Sequence, residues 1–255
     1  RGIGWIEDPS NASPAFERTR LRAARAELDA LGLTGAMLGL SARRLQQVRA
    51  ALERWVADVL DPAAGTVEIH ACGFFAIDLP RLRALPQEIA ARVLARTVAA
   101  AGGSAGPVPL AGLEAIALDL LFGPPAGAWT LARAKLTATP ERLLVEREPG
   151  REPLPVLSLG AGDRALWDGR FRVAAGAGLE ASVEVRALGV DGLREVRALA
   201  EIARGIPVGS LRALPGFWRG ERLLGVPALA VWTDQAARSE LSATFTACRE
   251  AAPGP

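Results

Sequence analysis

The sequence predicts an α+β protein, with a mainly helical N-terminal half followed by a smaller mixed α/β C-terminal domain. Three observations carry this. Apolar residues recur at helical spacing in four segments before residue 123. Gly123-Pro124-Pro125 then makes a strong chain break. After it come short extended segments bounded by glycine and proline, which read as strands. With 50% hydrophobic and 23% charged residues, the 255-residue chain has the composition of a globular protein with a sizeable core.

Residues 1–13 read as irregular. Ser13-Pro14 is a helix start, Ser as N-cap and Pro in the first turn. Leu21, Ala24, Leu28 and Leu31 then form an apolar stripe, and Gly32 and Gly35 end the helix. Arg18, Arg22 and Arg25 recur at i, i+4 and i+7, a basic stripe on another face. Ser41 is expected to cap a second helix with Leu45, Val48, Leu52, Trp55 and Val59 inward, stopped by Asp61-Pro62. Thr66 to Asp78 is β-like. Pro86 to Ala101 reads as helix closed by Gly102-Gly103, and Leu110 to Phe122 as another. Beyond the break, Trp129–Thr137 and Arg142–Glu148 are expected to be two strands of a hairpin. Pro149–Asp163 reads as loop, 170–174 and 181–188 as extended, 192–204 as helix and 223–232 as a last strand.

Composition excludes several function classes. The net charge of +2 gives no global basic field. Lys135 is the single lysine among 30 basic residues, a bias that reads as GC-rich coding; arginine forks suit phosphate and carboxylate, but composition alone does not support that reading. Cys72 and Cys248 lie too far apart for a metal-ligand spacing or a disulfide framework, and are expected to be reduced thiols. His70, the only histidine, sits in an alternating run and reads as a strand residue rather than a catalytic base. No apolar run approaches the roughly 20 residues of a spanning helix, so a cytoplasmic protein without membrane contact is expected. Gly102-Gly-Ser104, Gly160-Ala-Gly162 and Gly176-Ala-Gly178 are glycine-rich, but none leads into G-K-[ST]; all three read as turns. Three cations on one helix face repel each other, and an anion would relieve them.

Trp5-Ile-Glu-Asp-Pro-Ser-Asn11, followed by Phe16-x-Arg18 and Arg20-x-Arg22, resembles a motif of the tRNA(Ile)-lysidine synthetases. There the ATP-binding domain passes into a helical middle domain. Leu79–Gly102, Thr130–Glu148, Trp167–Val173 and Leu214–Pro227 resemble later parts of the same family. The sequence departs from the family pattern at Ser13 (aspartate expected), Thr19 (asparagine) and Leu131-Ala-Arg-Ala134 (Leu-Gly-Gly-Cys). The family's adenylating loop S-G-G-x-D-S does not occur. With Arg1 in first place and Met37 the only methionine, the chain is expected to be a fragment lacking the N-terminal ATP-binding domain.

The resemblance implies three regions: residues 1–15 as the end of that missing domain, 16–123 as a helical substrate- and tRNA-binding domain, and 126–255 as an α+β tRNA-binding domain. It implies a ligase that uses ATP with magnesium to join lysine to C2 of the wobble cytidine of tRNA(Ile), with the ATP site outside this chain. Arg18 and Arg22 would then stand at the edge of the active site. Asp8, Asn11, Arg20 and Arg25, with Arg133, Lys135, Arg142, Arg147, Trp218 and Arg219, would hold tRNA. No metal is expected in this chain. The alternative expectation is a stand-alone, non-catalytic RNA-binding or interaction module.

Overall fold

The computed structural model describes residues 16–104, 106–124, 126–150, 153–199, 201–202 and 205–246. Asp8, Asn11, the expected cap at Ser13-Pro14 and Cys248 lie outside the described residues. Among the described residues are eight α-helices and three antiparallel sheets, a mixed α and β architecture. The chain divides into two compact units, Arg1–Arg54 and Trp55–Pro255.

In the first unit, α1 (Glu17–Ala30) ends where the sequence indicated. Gly32 takes φ +80°, its N–H reaches Asp29 O, and the Leu33 N–H reaches Leu28 O. This is a Schellman end, and it needs the left-handed residue that glycine supplies. α2 (Gly35–Leu60) starts earlier than Ser41. The Thr34 hydroxyl accepts the Met37 N–H (3.2 Å), and this cap outweighs the breaker tendency of Gly35 and Gly39. The residues of α1 and of α2 up to Arg54 include no buried side chain; Leu21, Leu38, Leu45 and Val48 are all more than half exposed.

The second unit holds the core. Asp61 stops α2 and caps a short 3-10 turn over Pro62–Ala64, its carboxylate accepting the Ala63 N–H. β1 (Val67–His70) and β2 (Phe74–Asp78) follow as a hairpin, the β-like passage expected there. His70 serves the turn: Nδ1 accepts the Cys72 N–H (3.1 Å) and the ring stacks on Phe74 at 4.5 Å. Asp78 then caps α3 (Leu79–Arg83), and α4 (Gln87–Gly102) and α5 (Leu110–Phe122) follow. Arg83 hydrogen-bonds the Leu120 and Gly123 carbonyls, filling orphan acceptors at the end of α5.

Beyond residue 126 the expected strand Trp129–Thr137 is itself a hairpin, β3 (Gly127–Leu131) and β4 (Ala134–Ala138), and β5 (Arg142–Arg147) follows. These join β1 and β2 in one five-stranded sheet, ordered β1-β2-β5-β4-β3. Phe75 pairs with Val145, so this sheet spans the Gly123-Pro124-Pro125 break, which ends α5 without separating two compact units. α4 covers one face: Leu136, Leu143 and Val145 lie fully buried with Ile89, Val93 and Leu94.

The expected 149–163 loop contains β6 (Leu157–Leu159). Next come β7 (Arg164–Trp167), β8 (Phe171–Ala175), β9 (Val183–Ala187), α6 (Gly189–Leu199) and α7 (Val208–Arg212). The expected last strand is β11 (Arg222–Val226) plus the short β12 (Val231–Trp232). β10 (Pro215–Arg219), α8 (Ala237–Glu240) and β13 (Leu241–Phe245) were not indicated by pattern. The remaining sheets are β12-β11-β10-β9-β6 and β13-β8-β7, sharing a core of Trp167, Phe171, Val185, Phe217 and Leu224.

Candidate functional site

Two tight turns in the second unit make the most charged interior among the described residues. The first joins β3 to β4 through Ala132 (φ +46°) and Arg133 (φ +66°). The second follows β7 through Asp168 (φ +47°) and Gly169 (φ +66°). Both central residues at positive φ is the type I′ pattern that suits the twist of a hairpin. Asp-Gly supplies it readily; Ala-Arg supplies it only under strain of order 1 kcal/mol per residue. The C-terminus of α4 is wedged between the two turns. A Cβ on Gly102 would stand 2.0 Å from Ala132 O, and one on Gly103 2.1 Å from Asp168 O.

Where the turns meet, the Asp168 carboxylate, fully buried, receives three guanidinium groups. Arg147 donates Nε to Oδ2 (2.9 Å) and Nη2 to Oδ1 (3.3 Å), Arg170 donates Nε to Oδ2 (2.8 Å), and Arg133 donates Nη2 to Oδ1 (2.5 Å). A buried carboxylate without such partners would be costly. Burial alone would raise its pKa. Hydrogen bonding from Arg147 and the charges of Arg170 and Arg147 outweigh this and hold Asp168 below the ordinary carboxylate range.

Arg170 is itself buried between Trp167 and Phe171, at 5.9 and 5.0 Å from their ring centres, and donates Nη2 to Ala213 O (2.6 Å). Burial, only partly offset by Asp168, pulls its pKa down to about 10. Its Nη1 is buried without an acceptor among the described residues. The neighbouring Glu146, also buried, accepts the N–H and hydroxyl of Ser210 in α7.

On Asp168 itself three guanidinium groups meet one carboxylate, with the Glu146 and Glu148 carboxylates close by. Arg170 and Arg147 are covered, whereas 48% of the Arg133 side chain is exposed. Arg133 and Arg147 line an open groove of about 740 Å³ with Glu148, Pro149, Pro153 and Pro155. The Arg133 carbonyl accepts the Glu148 N–H (2.9 Å) and Arg147 Nη1 (3.3 Å), so backbone and side chain are both held. An exposed, braced arginine beside a groove is suited to an anion.

The sequence-derived residues divide accordingly. Arg133 and Arg147 are brought together. Lys135 stands half-exposed on β4, paired across the strands with Thr130 and Glu146. Arg142 is exposed and ion-paired to Glu68 (3.2 Å). Arg219 is exposed at the end of β10. Trp218 is 6% exposed, and the Arg186 guanidinium lies 4.4 Å over its ring.

Arg18, Arg20, Arg22 and Arg25 are exposed on α1 in the other unit, with Arg25 3.8 Å from Asp29. Asp168 and Arg170 were missed by sequence reasoning. The Asp168-Gly169 dipeptide between two extended runs was the available hairpin signal.

The glycine-rich segments form helix ends and turns. Gly102 is the last residue of α4 and Gly103 its left-handed cap. Gly160 donates to Asp163 (2.8 Å), and Gly178 donates to the Glu240 carboxylate (3.0 Å). Burial pushes the Cys72 thiol up to about 11, which keeps it protonated and unreactive. No group of three His, Cys, Asp or Glu side chains that could hold a metal occurs among the described residues. Nor is any described helix long and apolar enough to cross a membrane.

No protein-family model matches the chain. It is similar to the tRNA(Ile)-lysidine synthase of Ruegeria pomeroyi (31% identity over 230 residues, 89% of this chain and 50% of that protein). It is similar also to the tRNA(Ile)-lysidine synthases of Rhizobium meliloti (32% over 176 residues, 68% and 35%) and Methylobacterium nodulans (41% over 123 residues, 47% and 34%). The chain thus spans between a third and a half of the length of these relatives. Over the part it spans, this chain is a relative of the tRNA(Ile)-lysidine synthases.

Proposed function

We propose that this chain is the tRNA-holding part of a lysidine-forming ligase. The observation that carries the reading is similarity to tRNA(Ile)-lysidine synthases along 89% of the chain. The arginine-lined groove beside Asp168 supports it physically, because phosphate oxygens are natural partners for a braced guanidinium.

In the proposed reaction, ATP adenylates the C2 oxygen of the anticodon wobble cytidine of a CAU-anticodon tRNA(Ile), releasing pyrophosphate. The amine of free lysine then attacks C2 and AMP leaves, giving lysidine. ATP and its magnesium are assigned to residues outside this chain. This chain supplies cations. Arg18 meets the adenylate or an adjacent RNA phosphate, and Arg22 the anticodon-stem backbone. Asp8 and Asn11 shape the turn before them, and Arg20 and Arg25 extend the basic face. Arg133 contacts the RNA backbone elsewhere, with Lys135, Arg142 and Arg219 adding exposed charge; Arg147 acts from beneath.

The test uses the full-length protein. Arg18→Ala is expected to lower kcat/KM by at least about a hundredfold with little change in Tm, the scale of removing one transition-state charge interaction. Wild-type turnover by that variant removes Arg18 from the site. The double variant Arg133→Ala/Lys135→Ala is expected to flatten the dependence of log K on log salt by about 0.7–0.9 for each RNA phosphate no longer neutralised. An unchanged slope takes tRNA away from this hairpin. The isolated chain is expected neither to bind ATP nor to form lysidine, and turnover by it would overturn the assignment of ATP to residues outside.

A further inference from the structure

Asp168 has no anion to attract and no route to substrate, yet it is the group on which the cationic cluster is built. Its carboxylate is 0% exposed, and each oxygen takes guanidinium donors from two arginines. By charge alone it opposes any anion in the groove above, because it cancels part of the field of Arg133 and Arg147.

Geometry gives it a different part. Arg133 sits in a left-handed turn that Ala-Arg does not favour, and its side chain reaches back to Asp168 at 2.5 Å. One N–H of its five-donor fork is committed to that hydrogen bond. The other donors are held in one orientation on the 48%-exposed side chain, at the rim of the groove. Arg147 completes the brace by bonding both Asp168 and the Arg133 carbonyl. An arginine free to rotate would give up that entropy on binding an anion; one already fixed has given it up on folding.

We infer that Asp168 is a positioning residue for RNA binding: its buried carboxylate holds the Arg133 fork directly, while Arg147 braces the Arg133 backbone, so that the exposed donors meet one backbone phosphate in the groove. This rests on the tRNA reading given above and assigns the residue that organises its phosphate contact. It also makes a prediction opposite in sign to simple electrostatics. Removing a negative charge beside a phosphate site should tighten binding, but removing this one weakens it.

The experiment measures binding of a tRNA(Ile) transcript to the full-length protein across a salt series, below the melting temperature, with near-ultraviolet circular dichroism as the check on folding. Asp168→Asn is expected to weaken binding by up to about tenfold, the scale of one side chain left unordered. In an Arg133→Ala background the same substitution is expected to change nothing further, because Asp168 acts through Arg133. Arg133→Lys keeps the charge at a half-exposed site but not the fork, and is expected to weaken binding about as much as Asp168→Asn. It carries the test alone if Asp168→Asn does not fold.

Binding by Asp168→Asn at or above the wild-type affinity overturns the positioning role while the Arg133 phosphate contact stands. So does a weakening that persists in full without Arg133, or wild-type affinity in Arg133→Lys. Wild-type affinity and slope in Arg133→Ala remove the RNA contact and the positioning role together.

Discussion

Residues up to Arg54 and residues from Trp55 onward use apolar side chains in opposite ways. In α1 and the first part of α2, leucines recur at helical spacing, but Leu21, Leu31, Leu38 and Leu45 are each more than half exposed. In the second unit the same kind of spacing in α4 puts Ile89, Val93, Leu94 and Val98 at 0% exposure against β4 and β5. Periodicity therefore reports that a helix has an apolar face, not that this chain covers it. The basic residues differ likewise. Arg18, Arg22 and Arg25 stand in solvent, where a pair such as Arg25–Asp29 contributes little, whereas Arg147 and Arg170 are held by one buried carboxylate.

That contrast can be broken most sharply at Asp168. Asp168→Ala strands buried guanidinium groups and is expected to lower stability by about 3–5 kcal/mol, read as a large fall in the denaturant midpoint. A fall under about 1 kcal/mol, the range of exposed ion pairs, would mean that the cluster is solvated like α1. The pH dependence follows from the lowered pKa. Asp168 binds protons less readily folded than unfolded, so its stabilisation is present above the ordinary aspartate range near pH 4 and is lost as pH falls through the folded value. Melting temperatures should drop below about pH 4 in the wild type and drop less steeply in Asp168→Asn.

Leu143→Ala, at a fully buried position of β5, is expected to cost about 2–5 kcal/mol, while Leu45→Ala on α2 should stay within about 0.5 kcal/mol in this chain. Equal costs would show Leu45 to be covered. A smaller effect of reversed sign is expected at the turn. Ala132→Gly relieves a positive-φ alanine and should stabilise by about 0.5–1 kcal/mol, a rise of roughly 2–4 °C in Tm at most. The smallest is Arg25→Ala, expected below about 0.5 kcal/mol, with α1 amides exchanging faster than those of α4 in both forms.

Much of this was legible. Leu110–Phe122 was read from the sequence to the residue, because prolines stand on both sides of a strongly apolar run. The end of α1 at Gly32 followed from the left-handed conformation that glycine permits. The β3–β4 turn was not legible, since Ala132-Arg133 carries none of the Gly or Asn that normally marks positive φ. Leu131-Ala-Arg-Ala134, noted as a departure from the family's Leu-Gly-Gly-Cys, is that turn. Of the site, Arg133 and Arg147 were named for their charge. Asp168 was not, because what makes it central is its burial against three arginines, two of them distant in sequence, which no local pattern encodes. Nor does local sequence show that the Arg186 guanidinium lies over the Trp218 ring, a contact made between neighbouring strands.

The pairing of β2 with β5 has a consequence for how the protein is made. The β1–β2 hairpin can close as soon as it is synthesised, but the strand that completes it on the other side arrives only after α3, α4 and α5. Until Arg147 has left the ribosome, β2 presents an open row of backbone donors and acceptors along Phe74–Asp78, a strand that opens with two phenylalanines. The nascent chain is thus most exposed to mispairing during the interval in which those helices emerge. Shielding in that window falls to whatever first covers the strand, chaperone or α4 itself.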